Sequence, residues 1–229
     1  MMKKITTILL LILSLSNTNA QKMREAQHVL WADNFETALD TTQWFVELSP
    51  QINNKVYVEY GQMVLDVANG VTVWWTQKLK NKWRIEFDRT IPMNNQKNDR
   101  LSDFNVFWQA TDPKTGTLMG RNPAFENYDS LRLYYVGFGG NANTTTRFRK
   151  YQGNGERTIL AEYTDATHLL MPNKTYHCRI VFKKQTMRFY IDDVLFFNFK
   201  DKKSLKSGYF GFRTTQSRHL IDNFRVFTR

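Results

Sequence analysis

Apolar and polar residues alternate with period two along most of this chain, the pattern of strands that bury one face. Residues 62–67, 71–79, 83–91, 104–110, 130–138 and 145–151 read as strands, as do 176–183, 187–191, 194–199, 209–214 and 219–227. Turn chemistry separates them: Ala68-Asn69-Gly70, Asp112-Pro113, Gly139-Gly140-Asn141, Gly153-Asn154-Gly155, Met171-Pro172-Asn173 and Asp192-Asp193. Helical periodicity is confined to a turn near Glu36 to Thr41. Many short, evenly spaced strands predict an all-β, antiparallel β-sandwich or barrel.

The first twenty residues read as an address. Lys3 and Lys4 precede an apolar run over residues 5–15, and Thr18-Asn19-Ala20 is a small-residue cleavage pattern. Eleven residues are too few to cross a ~30 Å hydrocarbon core as a helix. The expectation is a signal peptide over 1–20 and one exported domain over 21–229, periplasmic or secreted and without membrane insertion.

Composition narrows the class. Aromatic residues make up 14% of the chain, which excludes a disordered protein, and a single cysteine excludes a disulfide scaffold. Lys and Arg number 32 against 21 Asp and Glu. Removing residues 1–20 takes away two lysines and no acids, so the surplus persists. In an exported protein this favours a polyanionic partner. An acidic polysaccharide or oligosaccharide is expected rather than nucleic acid, and the protein is expected to be a monomer. No amphipathic basic helix supports a role on a membrane surface.

The C-terminal third carries the clearest architectural pattern: Tyr176 to Ile180, Phe189-Tyr190-Ile191-Asp192-Asp193, Gly208-Tyr209-Phe210-Gly211-Phe212-Arg213 and Ile221-Asp222-Asn223-Phe224. This succession resembles the closing strands of concanavalin A-like jelly rolls, a superfamily of laminin-G-like lectins, glucanases and several polysaccharide lyases. Trp31 to Phe35 resembles its opening strand, which pairs with the last one. The resemblance implies a jelly roll and leaves open whether the protein binds or catalyses.

The middle segment is where chemistry is expected. Phe104, Val106 and Trp108 make one apolar face, leaving Asp103, Asn105 and Gln109 on the other. Leu131, Leu133 and Tyr135 share a face, with Arg132 and Tyr134 opposite; Phe148 anchors its strand while Arg147, Arg149 and Tyr151 alternate away. If these strands are neighbours, the wet faces merge into a groove of amide, guanidinium and phenol groups. Arginine suits carboxylate and sulfate because its planar fork binds two oxygens at once.

Leu131 to Tyr151, with Ser102 to Pro113, is similar to a family of exported bacterial jelly-roll domains usually encoded among polysaccharide-degradation genes. That resemblance implies a carbohydrate ligand, uronate-bearing or sulfated, of the ulvan or rhamnogalacturonan type. On such a substrate the inventory fits a carbon–oxygen lyase, either a polysaccharide lyase or an oligosaccharide dehydratase. β-Elimination needs a cation at the uronate carboxylate, and a base and an acid for the proton and the leaving oxygen. Tyr134, Arg147, Arg149, Tyr151 and His168 are the expected catalytic residues. Asp103, Asn105, Gln109, Arg132, Trp75, Asn141 and His219 are expected to bind substrate. An adjacent arginine would lower a phenol's pKa by favouring phenolate.

Two alternatives stand beside it. A lectin-like binding module would use the same basic groove, with Trp74, Trp75 or Trp108 stacking on sugar; core packing competes for Trp108 and one of the other two. A glycoside hydrolase needs two carboxyl groups. Glu86 and Asp88 share a strand face, but Ile91 stands where a glucanase Glu-x-Asp-x-x-Glu pattern has its second Glu. No zinc-spaced His/Cys cluster or Gly-x-Ser-x-Gly elbow occurs. No metal or cofactor is expected in the site, a structural calcium being compatible with the fold.

Overall fold

The computed structural model describes residues 28–51 and 53–228; the expected signal peptide over 1–20 lies outside them. Thirteen strands form among the described residues. They are β1 His28–Asp33, β2 Trp44–Leu48, β3 Lys55–Glu59, β4 Gln62–Lys80, β5 Trp83–Thr90, β6 Phe104–Thr111 and β7 Arg132–Gly139. After them come β8 Thr145–Gln152, β9 Arg157–Tyr163, β10 Thr175–Lys183, β11 Thr186–Ile191, β12 Val194–Lys200 and β13 Ser207–Thr228. Every pairing is antiparallel.

Two strands of 19 and 22 residues, β4 and β13, organise the sandwich by running through both of its sheets. Their mutual register slips twice, first between Gly208 and Phe210 and again where Thr215 faces Gly70 and Ser217 faces Val67. On one side of the second slip β13 pairs with β6, and the first sheet runs β2-β4-β13-β6-β7-β8-β9. On the other side β13 pairs with β5 and β1, and the second sheet runs β13-β5-β10-β11-β12, with β4 and β3 across the seam. The architecture is the jelly-roll sandwich the sequence predicts, and β1 pairs with the last strand as its opening strand should.

Ala68-Asn69-Gly70 predicts a turn, yet the strand continues through it. Those residues are where β4 passes between sheets. A side chain at Gly70 would put its Cβ 2.3 Å from the Pro123 carbonyl oxygen, so only glycine fits there.

The interior is aromatic, as the composition requires. Val106, Trp108, Phe148 and Phe212 from the first sheet meet Ile85, Phe87, Ile180 and Phe224 from the second. Phe87 and Phe212 pack edge to face across the layers at 4.9 Å. Burying each such ring contributes roughly 1.5–3 kcal/mol.

A second, smaller core lies on the outer face of the first sheet. The 112–131 connection from β6 to β7 folds over that face, and its Leu118, Tyr128 and Leu131 pack on Trp74, Phe107, Leu133, Tyr135 and Tyr151. Asp112 pins the start of the connection by accepting from the Lys114 and Thr115 amides and pairing with Arg121. Burial alone would raise this carboxyl, but those donors outweigh it and hold its pKa at about 2. Farther along, the Arg121 amide and the Tyr128 hydroxyl both donate to Glu47 of β2, at 3.0 and 2.6 Å.

Candidate functional site

Strand parity places the polar side chains. On β6, β8 and β13, Phe104, Phe148 and Phe212 point into the sandwich, so Asn105, Arg147, Arg149 and Arg213 point outward. The 112–131 connection covers much of that outer face and leaves a cleft of about 340 Å³ between Phe125 and the turn at Gly140–Asn143. Asp103, Asn105, Asn141, Arg147 and Arg149 line it, as the sequence predicts. Tyr135, Arg157 and Arg213 complete it.

Arg213 is 1% exposed, and its Nη1 donates to Thr72 Oγ1 at 3.1 Å and to the Pro123 carbonyl at 2.9 Å. Its Nε has no partner, and among the described residues no carboxylate pairs with it. Phe125 and Tyr128 flank the guanidinium with ring centres at 5.1 and 4.7 Å. Burial lowers its pKa, against the pull of Tyr128, Tyr135, Tyr151 and Asp103. Arg149 also keeps a buried Nε without a partner and lies 5.6 Å from the Tyr135 ring centre.

The remaining cations are neutralised. Arg147 donates to Glu162 at 2.6 Å, and Arg157 forms a two-pronged pair with Asp129 at 2.5 and 2.7 Å. Asp103, the cleft's one carboxylate, pairs with Arg100 at 2.9 Å. The Tyr135 hydroxyl donates to Asn105 Oδ1 at 2.9 Å, and it can lie over β7 because Gly137 has no side chain: a Cβ there would stand 2.1 Å from that oxygen.

Arg89 holds this wall from inside. It reaches from β5 across the sandwich, donating to the backbone carbonyls of Asn105 and Arg213 at 2.9 and 3.0 Å and to His219 Nδ1 at 2.9 Å. Burial pulls its pKa down to about 9.

Several sequence expectations fail here. Tyr134 faces the interior, stacked on Trp108, and its hydroxyl donates to Asp201 at 2.6 Å. Both faces of β7 are apolar because the 112–131 connection buries the outer one, so Tyr134 turns inward and Tyr135 outward, the reverse of what alternation predicts. Tyr151 points outward but is sealed in the second core, its hydroxyl without a partner. Burial raises its pKa, and Arg157 and Arg149 only partly offset that.

His168 lies elsewhere, beside a separate hollow with Met171 and Phe196, stacked on Tyr163 and bonded to Asp165 at 2.8 Å. His219 is wholly buried; burial and the Arg89 charge keep it neutral, with its pKa well below the usual value. Trp75 packs in the core against Trp31 and Phe224. Gln109 is buried at a β6 bulge with φ of 51°, its amide unpartnered and away from the cleft. Arg132 lies at the opposite end of β7, its Nε donating to the Gln152 carbonyl.

Parity could have revealed Arg213, since Phe210 and Phe212 point inward; the adjacency of β13 to β6 could not be read. Arg157 carries no signal in the sequence because edge strand β9 is half-exposed on both sides and shows no clear alternation. Among the described residues no group of three or more His, Cys, Asp or Glu is placed to hold a metal, and no helix is long and apolar enough to cross a membrane.

The fold is a jelly-roll sandwich with a polar cleft on one sheet, and comparison with solved structures finds the same fold. A Bacillus subtilis protein of unknown function with a galectin-like fold matches with a TM-score of 0.69 at 16% identity, over 88% of this chain and 97% of that one. The carbohydrate-binding module CBM66 from Bacillus subtilis matches at 0.56 and 16%, over 81% and 96%. An endo-β-1,3-glucanase from Pyrococcus furiosus matches at 0.60 and 12%, over 88% and 94%. The chain belongs to the family described as domain of unknown function DUF6250, whose pattern spans residues 65–224. Comparison with curated proteins finds no match.

These findings correct the lyase expectation. The similar enzymes are glucan hydrolases, and the groups expected to move protons, Tyr134, Tyr151 and His168, lie in the core, under the connection and at another hollow.

Proposed function

We propose that the protein is an exported glycan-binding module whose cleft holds an acidic sugar, uronate-bearing or sulfated, without cleaving it. The observation that carries this reading is Arg213, a buried guanidinium with an unpartnered Nε and no carboxylate beside it. Leaving such a cation unpaired costs several kcal/mol, and an oxyanion held in the cleft that Arg213 and Arg149 line would offset that charge.

Binding without hydrolysis follows from the carboxylates. Hydrolysis requires two across the scissile bond. The cleft has only Asp103, held by Arg100. Glu86 and Asp88 point outward from the second sheet, away from the cleft, where Glu86 meets Arg84 and Asp88 meets His177 and Asn223.

The test is calorimetry with galacturonan and sulfated-galactan oligosaccharides against neutral laminari-oligosaccharides, followed by mass spectrometry of the incubated sugars. Salt-weakened binding of an acidic series, with sugars recovered intact, is expected. Selective binding of the neutral series, or shortened products, would refute the proposal.

A further inference from the structure

The cleft is closed on its β4 side, where the Pro123 carbonyl lies against Gly70 and Arg213. Resting on the binding reading above, we infer that it takes the terminus of an acidic glycan and excludes the interior of a chain.

The argument follows the floor of the cleft strand by strand. At the β8 and β9 side, the Arg147 and Arg157 side chains are 28% and 29% exposed, and β9 is the edge of its sheet. At β13 the floor ends in Arg213, which is 1% exposed. Beyond it stands a wall. The Pro123 carbonyl accepts from Arg213 at 2.9 Å and occupies the space a Cβ on residue 70 would need, so the connection lies directly on β4 there.

Behind that wall the outer face gives no through-path. Trp74, Phe107, Leu118 and Tyr128 fill it, and the Tyr128–Glu47 hydrogen bond fastens the cover to β2 at the sheet's other edge. Phe125 roofs the cleft, its ring centre 4.5 Å from the Arg157 guanidinium and 5.1 Å from that of Arg213.

A polymer crossing the cleft from β9 toward β4 would have to pass where Pro123 and Tyr128 sit. The about 340 Å³ available is at the low end of the ~300–1,000 Å³ of small-ligand sites. A terminal residue instead enters from the β9 side, sets its carboxylate or sulfate against Arg213, and lets the rest of the chain leave past Arg157 and Arg147 into solvent. Arg213, the most buried of these cations, has no carboxylate partner, and of the arginines toward the exit Arg147 and Arg157 already have one. Charge at the inner end is therefore favoured over charge beside Arg147 and Arg157.

The experiment measures binding stoichiometry of the full protein by calorimetry and analytical ultracentrifugation. The ligands are galacturonate trimers, hexamers and size-fractionated polygalacturonate, with a matching series of carrageenan fragments for sulfate. One protein per chain at every length, with affinity per chain levelling off after the shortest fragments, is expected. Protein bound per chain rising with length, on a series that does bind, overturns the terminal reading and leaves the glycan-binding proposal intact. Absence of binding to both series removes the proposed function itself, and this inference with it.

Discussion

Replacing Arg213 by methionine separates its role as a ligand group from any role as a fold element. The arginine makes two hydrogen bonds, to Thr72 and Pro123, and leaves Nε empty. The substitution orphans a buried carbonyl and, unless it rotates to another partner, a hydroxyl, at about 1–3 kcal/mol each. Against this it removes a buried charge with no carboxylate partner, a change that is often neutral or stabilising by ~1–4 kcal/mol when the replacement packs well. The opposing contributions are similar in size, so unfolding free energy should shift by no more than about 2 kcal/mol in either direction. Affinity should respond differently. Losing the guanidinium from a desolvated ion contact costs about 2–5 kcal/mol, roughly 30- to 5,000-fold in Kd. Urea denaturation and calorimetry with the tightest acidic oligosaccharide measure both quantities on one preparation. A loss of more than about 4 kcal/mol in stability, or binding retained within a few-fold, would refute the reasoning.

Other expectations follow from the same geometry. Arg89→Met should lower stability by about 2–4 kcal/mol, because Asn105, Arg213 and His219 lose a shared interior donor at ~1–3 kcal/mol each while the cost of burying the charge is relieved in part; an unchanged denaturation midpoint would contradict this. Its affinity should also fall, because the backbone at Asn105 and Arg213 loses its anchor. Phe87→Ala should cost about 3–5 kcal/mol, as Phe87 is fully buried against Phe104, Phe210 and Phe212, while the folded fraction keeps its affinity. Burial raises the phenol pKa values of Tyr128, Tyr134 and Tyr135 above the ordinary 10.0. The stability they confer is complete below about pH 10 and is lost as pH climbs toward their folded values. Tyrosinate absorbance should therefore show a late group appearing only as near-ultraviolet circular dichroism is lost; early, non-cooperative ionisation of every tyrosine would count against it.

How much of this was legible beforehand depends on what alternation can and cannot express. Phe104, Val106 and Trp108 are legible as one interior face, and Phe148 as the anchor opposing Arg147 and Arg149, because polar residues (Asn105 and Gln109 on β6, the two arginines on β8) mark the other face even where the connection buries it. Tyr134 and Tyr135 are indistinguishable by pattern because a long connection buries the second face too, and a strand with two apolar faces does not say which one meets the other sheet. Trp75 and His219 are polar-tipped groups absorbed into the interior, Trp75 among aromatic rings and His219 by Arg89 and Thr214. Arg213 and Arg157 joined the cleft through strand neighbours that lie far apart in the chain, which no local pattern encodes. The Ala68-Asn69-Gly70 punctuation was real, but it marked a passage between layers instead of a reversal.

The placement of β13 has a consequence for biogenesis. Because Ser207–Thr228 pairs with four other strands and belongs to both layers, neither layer can close until those residues have been synthesised and released. Everything made earlier is a set of ribbons waiting for their central neighbour, held apart by the loop-closure cost of distant pairing. Such a chain acquires its shape in a single late event, when the central strand joins ribbons that were made before it.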